Sequence, residues 1–318
     1  MAVRIVDMRG VDLERYDFDW DLTFAALVMH PDGTIYHRYG GRDHRGAGVW
    51  LSERSFESFL RQGLETHAAY LRDPHPPGPR EPLYLEDVEA FAVKDKGECI
   101  HCHSVFPSLR AEARERGEWG TDGDWIYPPP SRLGLDLGRD DQRSVTGVEP
   151  ETPAARAGLL PGDRLISLAG RGLATASDLS AVLHGLPAEG GVQHLTIERA
   201  GIPRTLDLEL ATGWKRGTPL SYSWRPLKWA LLPAPGFGGP LLTAEQKQSR
   251  GIDPEVFAFR VQYTVTWGEN RRFGQAANRA GLRQNDVVLG TMAKRDFETV
   301  AHFHSWWRLT RKPGEIVE

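Results

Sequence analysis

The sequence predicts an α+β protein made of several domains, and three observations support this. A chain of 318 residues is long enough for two or three domains. Residues 72–82 contain five prolines, which impose a stiff and extended linker. A pattern at residues 154–165 returns 123 positions later at residues 277–288, which predicts two related domains.

Charge and hydropathy exclude several classes of function. The net charge of −4 and the pI near 6.3 give no electrostatic reason to expect nucleic acid as a partner. No apolar run approaches the roughly 18 residues that cross a bilayer, so no transmembrane segment is predicted. The first residues lack the basic, apolar and small-residue regions of a signal peptide.

Residues 1–71 predict part of an α/β unit. An apolar run at residues 24–29, a turn at 31–33 and a β-branched and aromatic run at 34–39 predict a hairpin. Ser52 is the expected N-cap of a following helix. Two strands and one helix cannot bury both faces of a sheet, so we expect a preceding part to be missing. The apolar face of the helix is formed by Phe56, Phe59, Leu60, Leu64, Ala68 and Leu71.

Residues 131–212 carry a series of motifs in a characteristic order. Residues 133–137 have the hydrophobic–Gly–hydrophobic start of a strand, and residues 145–148 predict a second strand. A Thr-Pro-Ala-Ala segment within 152–159 and a Pro-Gly-Asp turn within 161–166 follow. The series resembles bacterial PDZ domains, and this resemblance implies a β-sandwich or barrel with two helices.

The PDZ resemblance implies a groove for an added peptide strand. The terminal carboxylate would face backbone amides near Gly134, because glycine allows a close approach. The helix that walls the groove is expected at residues 177–184, with Ser177 as its N-cap. The expected partners are protein or peptide C-terminal tails, unless the domain only packs against its neighbours. The predicted peptide-binding residues are Leu133, Gly134, Leu135, Asp136, Leu137, Leu179, Val182 and Leu183.

Residues 251–318 predict a second, diverged PDZ-like domain. Its turn has Asn285-Asp286 where the first repeat has Gly-Asp, an acceptable change because asparagine also adopts positive φ. Its opening strands are expected within residues 256–267. The aromatic residues of its last helix predict burial rather than a ligand groove. The chain stops where the final strands would begin, so we expect this domain to be truncated.

The two cysteines of the chain form a CxxCH motif. Cys99 and Cys102 are followed by His103, the pattern of covalent c-type haem attachment, in which the thiols bond the vinyl groups and the imidazole ligates iron. We therefore predict haem c, with His103 as the metal ligand. No methionine lies between His103 and Met292, so the sixth ligand would be absent or a histidine. Candidate histidines are His67, His75 and His184.

Other interpretations of the cysteine pair stay open. A thiol-disulfide oxidoreductase would use Cys99 as its nucleophile, with His101 lowering a thiol pKa. Zinc could bind both cysteines and one or two histidines, although no second close ligand pair is present. A structural disulfide closing so short a ring would add little stability, and the thiols could also hold no cofactor.

The order of parts resembles a bacterial family of thioredoxin-like/PDZ fusion proteins, some members of which are selenoproteins. Residues 11–13, 18–23 and 32–40 resemble the C-terminal half of a thioredoxin-like domain. The redox pair of that family lies in the N-terminal half, which this chain lacks, so the resemblance assigns no catalytic thiol here. Leu22 also stands where thioredoxins usually have a cis-proline.

These predictions combine into a peptide-binding PDZ protein of the bacterial periplasm or envelope with haem c, serving electron transfer or redox sensing. Haem attachment requires export of the full-length protein, although this chain has no signal peptide. The alternatives are a thiol-disulfide oxidoreductase and a non-redox PDZ scaffold; an enzyme is not favoured, because no protease motif can be placed. The predicted segments are a partial thioredoxin-like unit (1–71), a linker (72–82), a CxxCH segment (83–130), a PDZ domain (131–212), a Trp- and Pro-rich connector (213–250) and a diverged PDZ-like domain (251–318).

Overall fold

The computed structural model describes residues 1–92, 99–268 and 270–318, and it divides into two compact units. The first unit is Met1–Gly217 and the second is Thr218–Glu318. Both mix helices with small sheets, which confirms a mixed α and β protein of more than one domain. Residues 93–98 of the predicted CxxCH segment lie outside the described residues. Within the described residues, no helix is both long enough and apolar enough to cross a membrane.

The first unit begins with the predicted hairpin and helix. Strand β1 (Ala25–Met29) pairs antiparallel with β2 (Ile35–Gly40), and α1 (Glu53–Tyr70) follows. The Ser52 side chain accepts a hydrogen bond from the Ser55 amide at 3.1 Å, which confirms the predicted N-cap. The short helix α2 (Glu89–Ala92) and the helix α3 (Val105–Glu115) come next.

The PDZ segment has its predicted strands and helices in the predicted order. Its elements are β3 (Leu135–Leu137), β4 (Val145–Val148), α4 (Pro153–Arg156), β5 (Arg164–Leu168), β6 (Arg171–Gly172), α5 (Ala176–Gly185), β7 (Gly191–Arg199) and β8 (Ile202–Leu210). One sheet has the order β6-β5-β7-β8, and β3 and β4 form a separate antiparallel pair.

Helix α5 begins earlier than predicted, because Thr175 rather than Ser177 is its N-cap. The backbone of Thr175 is extended, and its side-chain oxygen accepts a hydrogen bond from the Asp178 amide at 3.0 Å. Ser177 lies within the first helical turn. A threonine two residues ahead of a serine offers the same capping chemistry, so the sequence alone did not separate them.

The hairpin packs against α5, which makes the N-terminal segment part of the same unit as the PDZ domain. His37 of β2 is hydrogen-bonded through Nδ1 to Asp178 at 2.9 Å, and both side chains are buried. The Arg38 amide donates to the same carboxylate at 2.7 Å. The PDZ domain thus covers the hairpin, and the thioredoxin-like identity of this segment stays a prediction.

The second unit contains shorter elements. They are α6 (Pro219–Tyr222), β9 (Phe237–Gly238), α7 (Ala244–Gln248), β10 (Phe259–Arg260), β11 (Tyr263–Thr264), α8 (Arg271–Arg279), β12 (Val287–Val288) and α9 (Val300–Thr310). β9 pairs with β11, and β10 pairs with β12. The burial predicted for the aromatic residues of the last helix is seen at Phe303, which is fully buried. It belongs to a cluster of buried aromatic residues that includes Phe237, Phe257, Phe259, Phe297, Phe303 and Trp306.

The repeated turn has the same hydrogen bonds in both units. The Asp163 carboxylate accepts from the Leu160 amide at 2.9 Å, and the Asp286 carboxylate accepts from the Arg283 amide at 2.7 Å. Asn285 has a φ of +75°, which confirms the predicted change from glycine to asparagine at this turn. The internal repeat in the sequence is therefore a repeat in structure.

The opening strand of the second repeat lies at β9, outside the predicted range of residues 256–267. Gly134 has a φ of +81°, and its carbonyl accepts from the Glu149 amide at 2.8 Å. Gly236 has a φ of +78°, and its carbonyl accepts from the Val265 amide at 2.7 Å. This match places the counterpart of β3 inside the segment that we predicted to be a connector. The segment between β9 and its partner strand β11 is longer than the segment between β3 and β4, so a comparison at a fixed offset did not align the two opening strands.

Candidate functional site

The candidate site is the edge of β3 that faces away from β4. Because the Glu149 amide donates to the Gly134 carbonyl, the hydrogen-bonded positions of this antiparallel pair are Gly134 and Asp136. The amide and carbonyl of Leu135 therefore point to the opposite edge. Across the described ranges, no second strand pairs with β3. An extended peptide can add to this edge through main-chain hydrogen bonds.

Gly134 is required by the turn itself. With its positive φ, a Cβ at this position would lie 2.2 Å from Thr152 Oγ1. Its amide donates to the Ser131 carbonyl at 3.0 Å and is therefore already used within the turn. Of the backbone amides near Gly134, the one that points to the open edge of β3 is that of Leu135.

Arg132 brings a positive charge to the same end of β3. Its Nε is buried and has no hydrogen-bond partner among the residues that the structure describes. Burial lowers the pKa of the guanidinium, and the nearby Glu149 carboxylate opposes this. Arginine stays protonated in proteins, so the group keeps its positive charge and can donate to a carboxylate. Sequence analysis missed Arg132; its place two residues before Gly134 was the available signal.

Most of the side chains that we predicted to bind peptide are buried. Leu179 and Leu183 of α5 are 1 % and 0 % exposed, and Val182 is also buried. Asp136 is exposed on the strand wall. The buried residues support the groove from within, and their contact with a peptide stays a prediction. The buried members of the strand wall are Leu133, Gly134, Leu135 and Leu137.

The loop between β2 and α1 closes the end of the groove where α5 begins. The side-chain amide of Gln142 donates to the Trp50 carbonyl at 2.6 Å and accepts from the Ala176 amide at 3.1 Å. Arg139, just beyond β3, donates to the Leu51 carbonyl at 2.5 and 3.1 Å. The Trp50 side chain belongs to the core of the PDZ domain and is 7 % exposed.

The corresponding strand edge in the second unit is closed by a histidine. Phe237 of β9 corresponds to Leu135, and its carbonyl accepts a hydrogen bond from His304 Nε2 at 3.0 Å. Burial lowers the pKa of His304 to about 4, helped by the charges of Arg308 and Lys228. The ring is therefore neutral at pH 7, with its hydrogen on the nitrogen that faces the carbonyl.

Matched N-caps identify the counterpart of His304 in the first unit. The Thr299 side chain accepts from the His302 amide at 3.0 Å, just as Thr175 caps α5. Counting from these caps, Ser180 occupies the place of His304. The face of α5 turned toward the β3 edge therefore carries a short, partly exposed side chain.

The CxxCH residues lie together immediately before α3. Cys102–Ser104 form a 3₁₀ turn, and both cysteines are free thiols. Cys99 is exposed, whereas Cys102 packs partly against an apolar cluster that includes Ile100. His103 Nδ1 is buried without a hydrogen-bond partner among the described residues.

The electrostatics of Cys102 differ from those of a reactive thiol. Burial raises the pKa of the Cys102 thiol, and the carboxylates of Asp21 and Asp19 act in the same direction. A raised pKa lowers the fraction of thiolate, so Cys102 itself is a poor nucleophile. Within residues 1–92, 99–268 and 270–318, no three His, Cys, Asp or Glu side chains converge as a metal site.

Comparisons with known proteins agree with the PDZ assignment. MamE, a magnetosome formation protease of Paramagnetospirillum magneticum, is 28 % identical over 194 residues, which cover 52 % of this chain and 26 % of MamE. A candidate zinc metalloprotease of Brucella suis is 37 % identical over 65 residues, which cover 20 % of this chain and 16 % of that protein. The chain thus spans about a quarter or less of these relatives.

A solved serine endoprotease from Yersinia pestis matches 33 % of this chain and 36 % of its own, with 21 % identity and a TM-score of 0.25. That likeness is too small to carry an inference. The family model described as the PDZ domain matches residues 144–199, which include β4 to β7 and the turn at Asp163. This chain therefore contains a PDZ domain.

Proposed function

We propose that the PDZ domain of the first unit binds the C-terminal tails of other proteins by strand addition to β3. The observation that carries this proposal is the edge of β3 at Leu135, which pairs with no second strand of the described residues, together with the Nε of Arg132, which is buried without a hydrogen-bond partner among those residues. The backbone edge supplies hydrogen bonds that do not depend on the tail's sequence. The guanidinium supplies a charge-assisted hydrogen bond that requires a free carboxylate.

The bound tail would run in one direction along β3. The carboxylate would lie at the Leu135 amide and Arg132, and the preceding residues would run antiparallel to β3 toward Leu137. Ser180 on α5 leaves room over this edge, in contrast to the histidine at the same place in the second unit.

Selection from a library of peptides with random C-terminal residues tests this function on the full chain. We expect selected tails to lose at least about ten-fold in affinity when the carboxylate is amidated, because a charge-assisted hydrogen bond is lost. Arg132→Gln should weaken binding to a similar extent.

Arg143→Gln is the matched control, since Arg143 is also partly buried with an unpartnered Nε but belongs to the loop at the other end of β3. Its affinity for tails should equal that of the wild type. Equal affinity for the acid and amide forms of a peptide would show that the domain does not recognise the terminal carboxylate.

As a second candidate function, we propose covalent haem c attachment at Cys99 and Cys102, with His103 as iron ligand. The two free thiols at the CxxCH spacing and the neighbouring apolar cluster support it. The haem would supply electron transfer or redox sensing in the periplasm or envelope.

Export of the chain in a host that attaches haem c tests this candidate. The expected result is a Soret band that survives denaturation in the wild type and is absent from the double variant Cys99→Ala, Cys102→Ala. A colourless wild-type protein with both thiols free to titrate would exclude haem.

The relatives named as proteases suggest a setting for tail recognition. MamE and the Brucella protein are described as a protease and a candidate metalloprotease, and each is matched over a minor part of its length. We propose that the PDZ domain recognises tails in connection with proteolysis, with the cleavage carried out elsewhere than in the groove described above.

A further inference from the structure

We propose that Trp50 and its loop restrict the PDZ domain of the first unit to short C-terminal tails, of which about three residues are bound. This inference rests on the proposed tail binding and adds a limit on the length of the ligand. The limit comes from a segment of the same chain that lies across the far end of the groove.

The loop is held against both walls of the groove. On the strand side, Arg139 donates to the Leu51 carbonyl at 2.5 and 3.1 Å. On the helix side, Gln142 links the Trp50 carbonyl to the first amide of α5, that of Ala176. One glutamine thus connects the loop, the turn after β3 and the start of α5.

The loop is also internally braced. Arg45 lies 5.7 Å from the centre of the Trp50 ring and forms an ion pair with Asp43 at 2.6 Å. Gly41 lies so close to the indole that a Cβ there would be 2.7 Å from a Trp50 ring carbon. These contacts hold the indole in one place, so it acts as a fixed wall.

The ends of the loop are fixed as well. β2, which precedes it, is tied to α5 by the bonds of His37 and Arg38 to Asp178. α1, which follows it, begins at the Ser52 cap. Displacement of the loop by a peptide would break the buried hydrogen bonds of Gln142 to Trp50 and Ala176.

The distance along β3 sets the expected length. A strand rises about 3.3 Å per residue, so the three residues of β3 offer roughly 10 Å of edge. A tail that starts at Leu135 and runs antiparallel reaches Leu137 with its third residue. Its fourth residue would meet the segment from Trp50 to Leu51, which Arg139 and Gln142 hold there.

The test is a length series of one selected tail, from two to eight residues, each with a free carboxylate and an acetylated amino end. For the wild type, we expect affinity to rise up to three or four residues and then stay level within two-fold. For Trp50→Ala, the affinity should continue to rise with peptide length, by at least five-fold between four and seven residues.

Arg139→Ala provides a second variant, which leaves the buried Trp50 indole in place. Arg139 is exposed, so its removal leaves no cavity in the core. Loss of its hydrogen bonds to the Leu51 carbonyl should give part of the increase in affinity for longer peptides. Hydrogen exchange in residues 133–138 should also become faster. Trp267→Ala is the matched control for loss of a tryptophan, since Trp267 is 60 % exposed in the second unit.

The outcomes separate this inference from the proposed function. Wild-type affinity that keeps rising beyond five residues, or equal length dependence in wild type and both variants, overturns the length limit while tail binding stands. Tails that bind neither wild type nor variants overturn both proposals.

Discussion

The two repeats keep the same backbone hydrogen bonds but differ at the edge where a tail would be added. In the first unit, α5 has Ser180 at the position that corresponds to His304, and the Leu135 carbonyl points outward from the β3–β4 pair. In the second unit, His304 of α9 occupies the equivalent place and donates to the Phe237 carbonyl at 3.0 Å. The second edge is thus closed by a side chain of its own helix.

This difference separates what the fold requires from what binding requires. Glycines with positive φ, an aspartate at the repeated turn and a threonine N-cap occur in both repeats. The residue that faces the strand edge does not need to be kept for folding. Under the proposed function, a change from serine to histidine at that place would exchange tail binding for an internal contact.

The largest expected effect is on the glycine that opens each repeat. In Gly236→Ala the new Cβ would lie 2.4 Å from the backbone nitrogen of Gly274, which belongs to α8 and cannot easily move. We expect a loss of about 4 kcal/mol in the unfolding free energy of the second unit. Gly134→Ala meets the Thr152 side chain, which can shift, so about 2 kcal/mol is expected in the first unit.

Urea denaturation of the full chain, followed by hydrogen exchange in each unit, measures both losses. Gly162→Ala is the control, since Gly162 has a φ of +94° but no atom within 4 Å of the added Cβ. A loss of about 1 kcal/mol is expected there. Equal losses in all three variants would show that φ alone, and not the contacts, determines the cost.

The next largest difference in unfolding free energy is expected between substitutions of the two aspartates of the repeated turn. Asp163 is buried and bonded to Arg199 at 2.6 and 2.7 Å, in addition to the turn amide. Asp286 is exposed and accepts from the Arg283 amide. We expect Asp163→Ala to cost about 3 kcal/mol and Asp286→Ala about 1 kcal/mol in unfolding free energy. Thermal denaturation at pH 7 compares them, and a larger loss for Asp286→Ala would contradict the comparison.

The closed edge predicts a pH dependence confined to the second unit. Since the folded-state pKa of His304 is lowered from 6.5 to about 4, the unfolded state binds the extra proton between these values. The unfolding free energy of this unit should therefore fall as pH drops from about 6.5 to 4, by between about 2 and 3 kcal/mol.

His304→Gln keeps a donor for the Phe237 carbonyl without titrating, so the fall attributed to this group should disappear. His194→Gln is the control, because the His194 side chain is 74 % exposed on the first unit. Identical pH profiles for wild type and His304→Gln would show that the buried imidazole does not titrate in this way.

The smallest difference is expected at the N-caps. Thr299→Ala should cost about 1 kcal/mol of unfolding free energy, the ordinary value of a lost cap. Thr175→Ala should cost slightly more, because the Thr175 hydroxyl also donates to the Arg38 carbonyl. Chemical denaturation of the two variants side by side measures this, and a smaller loss at Thr175 would mean that the bond to Arg38 adds nothing.

Local signals made the elements of the first repeat predictable. The strand at residues 145–148, the helix after Thr152 and the turn at Asp163 each depend on residues close together in sequence, such as Gly162 with its positive φ. The position of β9 was missed because two residues carry no periodicity, and because its partner strand begins only at Tyr263.

The groove itself was only partly predictable. The strand edge followed from the PDZ motif, but its closed end depends on Gln142 and Trp50, which are 92 positions apart. Leu179 and Leu183 were predicted to contact a peptide, but both are buried. Apolar spacing predicts which face of a helix is buried, and it does not identify the face that borders a ligand. For the cysteines, the CxxCH motif predicted haem c attachment. The structure adds that burial raises the pKa of the Cys102 thiol.

Titration calorimetry with a selected tail peptide tests most directly the claim that one repeat binds tails and the other is closed. The account predicts one peptide bound per chain, at least about ten-fold weaker binding of the amidated peptide, and a similar loss in Arg132→Gln. Two peptides bound per chain, or undiminished binding by Arg132→Gln and by the amide, would contradict it.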